Sequence, residues 1–122
     1  MERILVVDDE EELCHALKEY LSPKYSVETA LDGPTALKKV KDFNPHIVLL
    51  DIIMPKMNGV DVLMRIRDIN PKIGIIMVTA VKDEGIAKKL MGLGAYDYIT
   101  KPLDLNYLDT VLMVKMLEIN KQ

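Results

Sequence analysis

Residues 47–55 read IVLLDIIMP, so four consecutive aliphatic residues, Ile47–Leu50, run directly into Asp51. An unbroken run of Val, Ile and Leu of this length is typical of a strand buried on both faces, as in parallel sheets. Four more strand candidates recur along the chain, two strong and two weaker: Ile4–Val7 and Ile75–Val78, then Tyr25–Thr29 and Tyr96–Thr100. The sequence therefore predicts a sheet of five strands.

Amphipathic stretches follow the strand candidates, with apolar residues at the spacing of one helical face. Pro34 suits the first turn of the second helix, and Asp104 suits the N-cap of the fifth. Gly92 and Gly94 suit the end of the fourth. The residues predicted to face the core are, helix by helix, Leu13, Ala16, Leu17, Tyr20 and Leu21; Ala36, Leu37 and Val40; Val62, Leu63, Ile66 and Ile69; Ile86, Ala87, Leu90 and Met91; and Leu105, Leu108, Val111, Leu112 and Met116. Strand and helix alternating five times predict an α/β fold, a (βα)5 doubly wound parallel sheet with helices on both faces.

Composition and charge favour one soluble globular domain, residues 1–122, in which hydrophobic residues make up 49% and charged residues 29%. The net charge of -3 gives no support for a nucleic-acid surface, which needs a basic stripe. Apolar runs are too short for a signal peptide or a membrane span, so a cytoplasmic location is the default expectation. The single cysteine, Cys14, excludes an intrachain disulfide and is expected to be a reduced, partly buried thiol.

Polar residues end four of the five apolar runs. Asp8 and Asp9 follow the first, Asp51 the third, Thr79 the fourth, and Lys101 the fifth. Ligands of open parallel sheets bind beyond the carboxyl ends of the strands, so these side chains should meet at one edge. Taken singly, each has an ordinary explanation as a helix cap, a loop acid, a turn residue or a solvated charge. Their convergence on one edge favours a functional site.

The predicted cluster has the chemistry of phosphoryl transfer. Three carboxylates beside one lysine leave negative charge that a divalent cation would offset, and Mg²⁺ prefers oxygen ligands. No histidine or cysteine falls in the cluster, which argues against zinc. An aspartate can be the nucleophile, and a metal and a lysine can neutralise the transferring oxygens.

With these motifs in order, the chain resembles the receiver domain of bacterial response regulators, of the chemotaxis type, from Arg3 to about Leu117. The matching motifs are Asp8-Asp9, Asp51 followed by Met54-Pro55 and Gly59, Thr79-Ala80, and Gly94-Ala95 followed by Tyr98 and Lys101-Pro102. The resemblance implies a flavodoxin-like sheet of order 2-1-3-4-5, with the acids at the switch point beside the first strand.

The resemblance also implies a metal site and a phosphoacceptor. Asp51 would accept the phosphoryl group from a histidine kinase or a phosphotransfer protein. Asp9, Asp51 and the backbone carbonyl of Ile53 would ligate Mg²⁺, and Asp8 would contribute through a water. Lys101 would contact the phosphoryl oxygens.

The resemblance to receiver domains also implies a conformational switch. Thr79 would move toward the phosphoryl group, Tyr98 would turn inward, and the Lys101–Pro102 bond would be cis. The surface of the fourth helix, fifth strand and fifth helix would then signal to an output domain or a second copy. In the fifth helix, Met113, Met116 and Leu117 supply more apolar surface than one core face needs, either as such a contact surface or as additional core.

Two apolar positions bear on how long a phosphoryl group would last. Ile53 lies two residues after Asp51, and Val81 lies two residues after Thr79. Neither side chain can orient an attacking water, so slow self-dephosphorylation is predicted.

Three rival functions are weighed against this interpretation. An aspartyl phosphatase or dehalogenase usually has a second acid where Ile53 stands, and a flavin carrier needs a Ser, Thr and Gly loop where residues 8–12 are all acidic. A degenerate receiver that only docks partners is separable from a working one by phosphorylation alone. His15 and His46 are predicted to lie outside the site.

Overall fold

The computed structural model describes residues 1–121, and the predicted domain boundary at Gln122 lies outside them. Strands and helices alternate along the chain. The strands are β1 (Arg3–Val7), β2 (Ser26–Ala30), β3 (Ile47–Leu50), β4 (Gly74–Thr79) and β5 (Asp97–Thr100). The helices are α1 (Glu11–Leu21), α2 (Gly33–Phe43), α3 (Gly59–Ile69), α4 (Glu84–Gly92) and α5 (Leu105–Asn120).

All strand pairings are parallel, and the sheet order is β2-β1-β3-β4-β5, which confirms the predicted fold. β1 lies between β2 and β3, with Val7 opposite both Ala30 and Leu50. The carboxyl ends of β1 and β3 are therefore neighbours, and the residues that follow them, Asp8 and Asp51, begin loops at the same edge.

Each face of the sheet packs on its own group of helices, because the side chains of a strand alternate between the two faces. The odd-numbered residues of β1, such as Leu5 and Val7, lie in the core that contains α2, α3 and α4. The even-numbered residues, such as Ile4 and Val6, lie in the core that contains α1 and α5. The buried runs IVLL and GIIMVT of β3 and β4 serve both cores, which explains why they contain no polar alternation.

Side-chain caps fix where four of the helices begin. Asp32, Asn58, Asp83 and Asp104 each accept a hydrogen bond from a backbone N–H in the first turn of the helix that follows. The cap at Asp104 and the proline in the first turn of α2 are as predicted. After α4, Gly94 takes a left-handed φ of 113°, whereas Gly92 is the last residue of the helix itself.

Some predicted boundaries and core positions were wrong. Tyr25 precedes β2, because its N–H donates to the Leu21 carbonyl at 2.9 Å and so completes the turn after α1. β5 begins at Asp97 rather than Tyr96. Six residues predicted to face the core are exposed instead, namely Ala16, Tyr20, Ile69, Ile86, Met91 and Leu105. Helical spacing gave the correct faces but made them too wide.

The apolar residues of α5 divide between core and surface. Met116 is buried, so its contribution to a contact surface is excluded. Met113 and Leu117 are exposed by 55% and 57%, with Val114 beside them. Across residues 1–121, none of the helices is both long enough and apolar enough to cross a membrane.

Candidate functional site

The ends of β1 and β3 bring three carboxylates together. The N–H of Asp51 donates to the Val7 carbonyl at 3.1 Å, and this bond holds the first residue after β3 against β1. Asp8 and Asp51 are buried, whereas Asp9 is exposed. Carboxylate oxygens of all three lie within 4.8 Å of one another. The convergence of these three carboxylates was predicted correctly from their positions at the ends of the strand candidates.

Lys101 brings a positive charge into the same cluster. Its Nζ lies 2.8 Å from Asp8 Oδ2 and 3.3 Å from Asp51 Oδ2. The Lys101 backbone N–H donates to the Thr79 carbonyl at 2.8 Å, so the loop after β5 is fixed against the end of β4. The peptide bond between Lys101 and Pro102 is cis.

A fourth acid, Glu10, contacts Lys101 and was not singled out in the sequence. Its Oε1 lies 2.8 Å from Lys101 Nζ, as close as the buried Asp8. In the sequence Glu10 is one member of an acidic run that opens the first helix, which is where acids are common in any protein. Only its position directly after Asp9 could have drawn attention to it.

Burial, hydrogen bonds and charges together shift two pKa values in the cluster. Burial raises the pKa of Asp8 and outweighs the opposing hydrogen bonds from Lys101 and the Glu10 N–H, while the charge of Asp51 adds to the rise. Burial alone would lower the pKa of Lys101, but hydrogen bonds to Asp8 and Glu10 and the charges of Asp8 and Asp51 outweigh it, so this pKa is raised. Lys101 is therefore cationic at neutral pH, and three carboxylates, those of Asp8, Glu10 and Asp51, share its ammonium.

The donor set suits a hard divalent cation. Within residues 1–121, the one cluster able to hold a metal consists of Asp8, Asp9 and Asp51, which offers only carboxylate oxygens. Their negative charge exceeds the single compensating charge of Lys101, so a cation of charge two would relieve the repulsion among them. The acidic cluster can therefore bind a metal ion.

Gly59 permits the tight loop that follows Asp51. Its N–H donates to the Ile52 carbonyl at 2.6 Å. A Cβ at this position would lie 2.0 Å from the Asp51 carbonyl oxygen and 2.7 Å from the Ile52 Cα. Only glycine leaves room for this approach, and the loop carries the backbone of Ile53, whose side chain is 68% exposed.

Thr79 and Tyr98 both bond to Val81, in the loop after β4. The buried Thr79 accepts a hydrogen bond at Oγ1 from the Val81 N–H, at 3.3 Å. The hydroxyl of the half-buried Tyr98 donates to the Val81 carbonyl at 2.6 Å. The two predicted switch residues are therefore joined through one backbone unit.

The model of the family described as "Response regulator receiver domain" matches residues 4–113. The chain belongs to this family. It is a signalling domain of the two-component type, and its sequence is consistent with phosphorelay signalling.

Relatives and solved structures agree with this receiver domain assignment. The Bacillus subtilis "Alkaline phosphatase synthesis transcriptional regulatory protein PhoP" is 44% identical over 82% of the chain and 42% of its own length. A CheY-like receiver domain protein from Methanospirillum hungatei superimposes with a TM-score of 0.94, at 30% identity, over 99% of this chain and 98% of that one. The response regulator TrrA of Thermotoga maritima, in complex with Mg(2+)-BeF, has a TM-score of 0.84 at 35% identity, over 94% and 99% of the two chains.

The receiver domain spans less than half of the first relatives it matches. The matched share is 42% of PhoP, 24% of the Escherichia coli regulatory protein AtoC and 23% of the Caulobacter vibrioides response regulator PleD. What those longer proteins do through their other parts is not a property of these residues.

Both histidines of the receiver domain lie away from the acidic cluster. His15 is exposed on α1, and its Nε2 lies 3.9 Å from the carboxylate of Glu19. His46 precedes β3, at the opposite edge of the sheet from Asp51, and its Nδ1 accepts the Arg3 N–H at 2.9 Å. Burial and the charge of Arg3 lower the pKa of His46.

Proposed function

We propose that this receiver domain accepts a phosphoryl group on Asp51, in a reaction that requires Mg²⁺. The observation that carries the proposal is the contact of one ammonium, that of Lys101, with both buried carboxylates, Asp8 and Asp51. Asp51 is buried beside a fixed cation and further carboxylates. This setting suits a nucleophile that becomes an acyl phosphate, whose negative charge needs compensation.

The metal ligands are proposed to be Asp9, Asp51 and the backbone carbonyl of Ile53, with Asp8 contributing through a water. Oxygen donors and excess negative charge support Mg²⁺, and a relative 35% identical to this chain, TrrA, has been solved with Mg(2+)-BeF. Bound Mg²⁺ would supply charge neutralisation to the transferring oxygens. Asp8, already held by Lys101 and by the Glu10 N–H, is better placed to orient a water than to turn toward a metal.

In the proposed transfer, a carboxylate oxygen of Asp51 attacks the phosphorus of a phosphohistidine. The new P–O bond makes an acyl phosphate, the P–N bond breaks, and the departing imidazole takes the bonding pair and then a proton. Lys101 neutralises charge on the phosphoryl oxygens. The phosphodonor is a histidine kinase or a phosphotransfer protein, and the domain assists its own modification without being an enzyme for other substrates.

The switch is proposed to run through Val81. A phosphoryl group on Asp51 offers new acceptor oxygens to the Thr79 hydroxyl, which now accepts from the Val81 N–H. Movement of the loop after β4 would reach Tyr98, whose hydroxyl is bonded to the Val81 carbonyl. The phosphoryl group would then shift the balance between two arrangements of the surface formed by α4, β5 and α5.

The partners of that surface are proposed from its polar and aromatic groups. Tyr107 and Asp97 are joined across it by a hydrogen bond of 2.7 Å, and Lys115 lies over the ring of Tyr96 at 4.5 Å. An output domain or a second copy of the chain is the proposed partner. The chain itself binds neither nucleic acid nor membrane in this proposal, and acts in the cytoplasm.

Intact mass spectrometry after incubation with acetyl phosphate tests the proposal. We expect one added phosphoryl group that requires both Mg²⁺ and Asp51, so that Asp51→Asn takes none. Asp42→Asn is the matched control, because Asp42 is an exposed acid of α2 whose side chain makes no hydrogen bond or ion pair within residues 1–121. If no addition occurs with acetyl phosphate or with a panel of histidine kinases, the domain is a docking module instead.

A further inference from the structure

Three carboxylates contact the ammonium group of Lys101. Asp8 Oδ2 and Glu10 Oε1 each lie 2.8 Å from Nζ, and Asp51 Oδ2 lies 3.3 Å from it. A lysine ammonium has three N–H donors and no acceptor. All of its donors are therefore engaged, and a phosphoryl oxygen can bond to Lys101 only if one of the carboxylates leaves.

The three contacts differ in how readily they can be given up. The side chains of Asp8 and Asp51 are 3% and 8% exposed, whereas that of Glu10 is 62% exposed. A buried carboxylate that loses its cation is left without solvation, but an exposed one is solvated by water at once. Glu10 is therefore the carboxylate that leaves at least cost.

The backbone of Glu10 holds its side chain close to Lys101. Glu10 is the N-cap residue of α1, yet its side chain makes no capping hydrogen bond. Its N–H donates to Asp8 Oδ1 at 2.9 Å, which fixes the backbone beside the cluster. The Glu10 carboxylate therefore bonds to Lys101 and does not cap the helix.

We infer that Glu10 is a positioning residue that holds Lys101 in a resting state and slows phosphoryl transfer to Asp51. The inference rests on the proposed function. While Glu10 stays on the ammonium, an incoming phosphoryl group finds one donor blocked and a negative charge beside it. When Glu10 swings into solvent, Lys101 keeps its bonds to the two buried aspartates and gains a free donor.

Two substitutions at Glu10 separate contact from charge. Glu10→Ala removes both. Glu10→Asp keeps the charge but shortens the side chain by one carbon–carbon bond, about 1.5 Å, which withdraws it from Lys101. Glu11→Ala is the matched control, because Glu11 is an exposed acid at the start of α1 whose side chain makes no hydrogen bond or ion pair within the part of the chain that the structure describes.

The first readout is the rate of phosphorylation by acetyl phosphate at saturating Mg²⁺, measured by intact mass. Because exposed ion pairs are weak, we expect an increase of about two- to fivefold for both Glu10→Ala and Glu10→Asp. Glu11→Ala should give the wild-type rate to within the smaller effect of a general change in net charge.

The second readout needs neither metal nor phosphodonor. An amine-acylating reagent, followed by peptide mapping, reports how accessible Lys101 Nζ is in the metal-free protein. Both Glu10 variants should label at Lys101 faster than the wild type, while the exposed Lys88 labels equally in all proteins. A purely structural role for Glu10 would lower thermal stability without selective labelling of Lys101.

Equal rates for Glu10→Ala and Glu11→Ala, with Glu10→Asp unchanged, would overturn the inference in favour of general electrostatics. Slower transfer in both Glu10 variants would overturn it by showing that Glu10 assists the reaction. Failure of the proposed function is distinct: the wild type itself would take no phosphoryl group, and the inferred effect on rate would fall with it.

Discussion

Gly59 is the position where one added methyl group should most disturb the phosphoacceptor loop. In Gly59→Ala the new Cβ would lie 2.0 Å from the Asp51 carbonyl oxygen, and ordinary contact begins at 3.4 Å, so the two atoms must move apart by about 1.4 Å. Neither atom is at the end of a flexible side chain. The backbone of the nucleophile or the first turn of α3 has to shift.

Two effects of known size should follow from Gly59→Ala. Overpacking of a tight site typically costs about 1–3 kcal/mol of unfolding free energy. A displacement of about 1 Å in a reacting group can cost about a hundredfold in rate. We therefore expect destabilisation of about 2 kcal/mol and a phosphorylation rate at least about tenfold lower.

Gly92→Ala is the matched control for Gly59→Ala. A Cβ on Gly92, in the last turn of α4, would meet nothing within 4 Å. Alanine there should leave phosphorylation unchanged and stabilise the domain by about 0.4–1 kcal/mol. Urea unfolding followed by circular dichroism, with acetyl phosphate kinetics, measures both quantities. Wild-type stability and rate in Gly59→Ala would refute the assigned contact between Gly59 and Asp51.

Three further outcomes are expected. The pKa of His46 is lower in the folded protein than in the unfolded chain, so the stability that His46 contributes is full above its unfolded pKa of about 6.5 and is lost as the pH falls through its lower folded value. His46→Asn keeps an acceptor for the Arg3 N–H, and its stability in urea should depend less on pH between about 5 and 7 than that of the wild type. An unchanged pH dependence would contradict this. Burial raises the pKa of Cys14 to about 11 from 9.0, so iodoacetamide at pH 8 should alkylate the folded protein at least about a hundredfold more slowly than the urea-unfolded chain; similar rates would show an accessible thiol. Because Ile53 and Val81 beside the site are apolar, the wild type should lose its phosphoryl group slowly, and Ile53→Asn should lose it faster. Intact mass after removal of the phosphodonor measures both rates. Rapid loss that persists when both residues are replaced would exclude apolar Ile53 and Val81 as the cause of the rate.

The sheet could be predicted because buried parallel strands have a distinct composition. β1, β3 and β4 each contain an unbroken run of four apolar residues, and the polar residue after each run marks the carboxyl edge of the sheet. Asp51 follows β3 directly, and β1 lies next to β3. The positions of the strand ends were therefore enough to predict that the acids lie together.

The start of β2 and the core face of α1 depended on tertiary contacts. Tyr25 has strand propensity, but its N–H completes the turn after α1. On α1 the core face contains Cys14, Leu17 and Leu21, whereas Tyr20 lies at the surface and its hydroxyl donates to Asp109 of α5 at 2.7 Å. Helical spacing alone admits both assignments of the face.

Glu10 could not be identified from the sequence, because its role depends on where Lys101 lies. The two residues are 91 positions apart in the chain, and nothing local distinguishes Glu10 from the acids that follow it in α1. The bond from Tyr98 to Val81 depends in the same way on how the loop after β4 folds over β5. Contacts between loops carry no periodic signal.

Reductive trapping tests the central claim most directly. The receiver domain is incubated with acetyl phosphate and Mg²⁺ and then treated with borohydride, which reduces an aspartyl phosphate to homoserine, and the product is mapped by peptide mass spectrometry. The account predicts homoserine at position 51 and at no other position, with none in the absence of Mg²⁺. Homoserine at another aspartate, or a stable phosphoryl group on a hydroxyl side chain, would contradict the assignment of Asp51 as the phosphoacceptor.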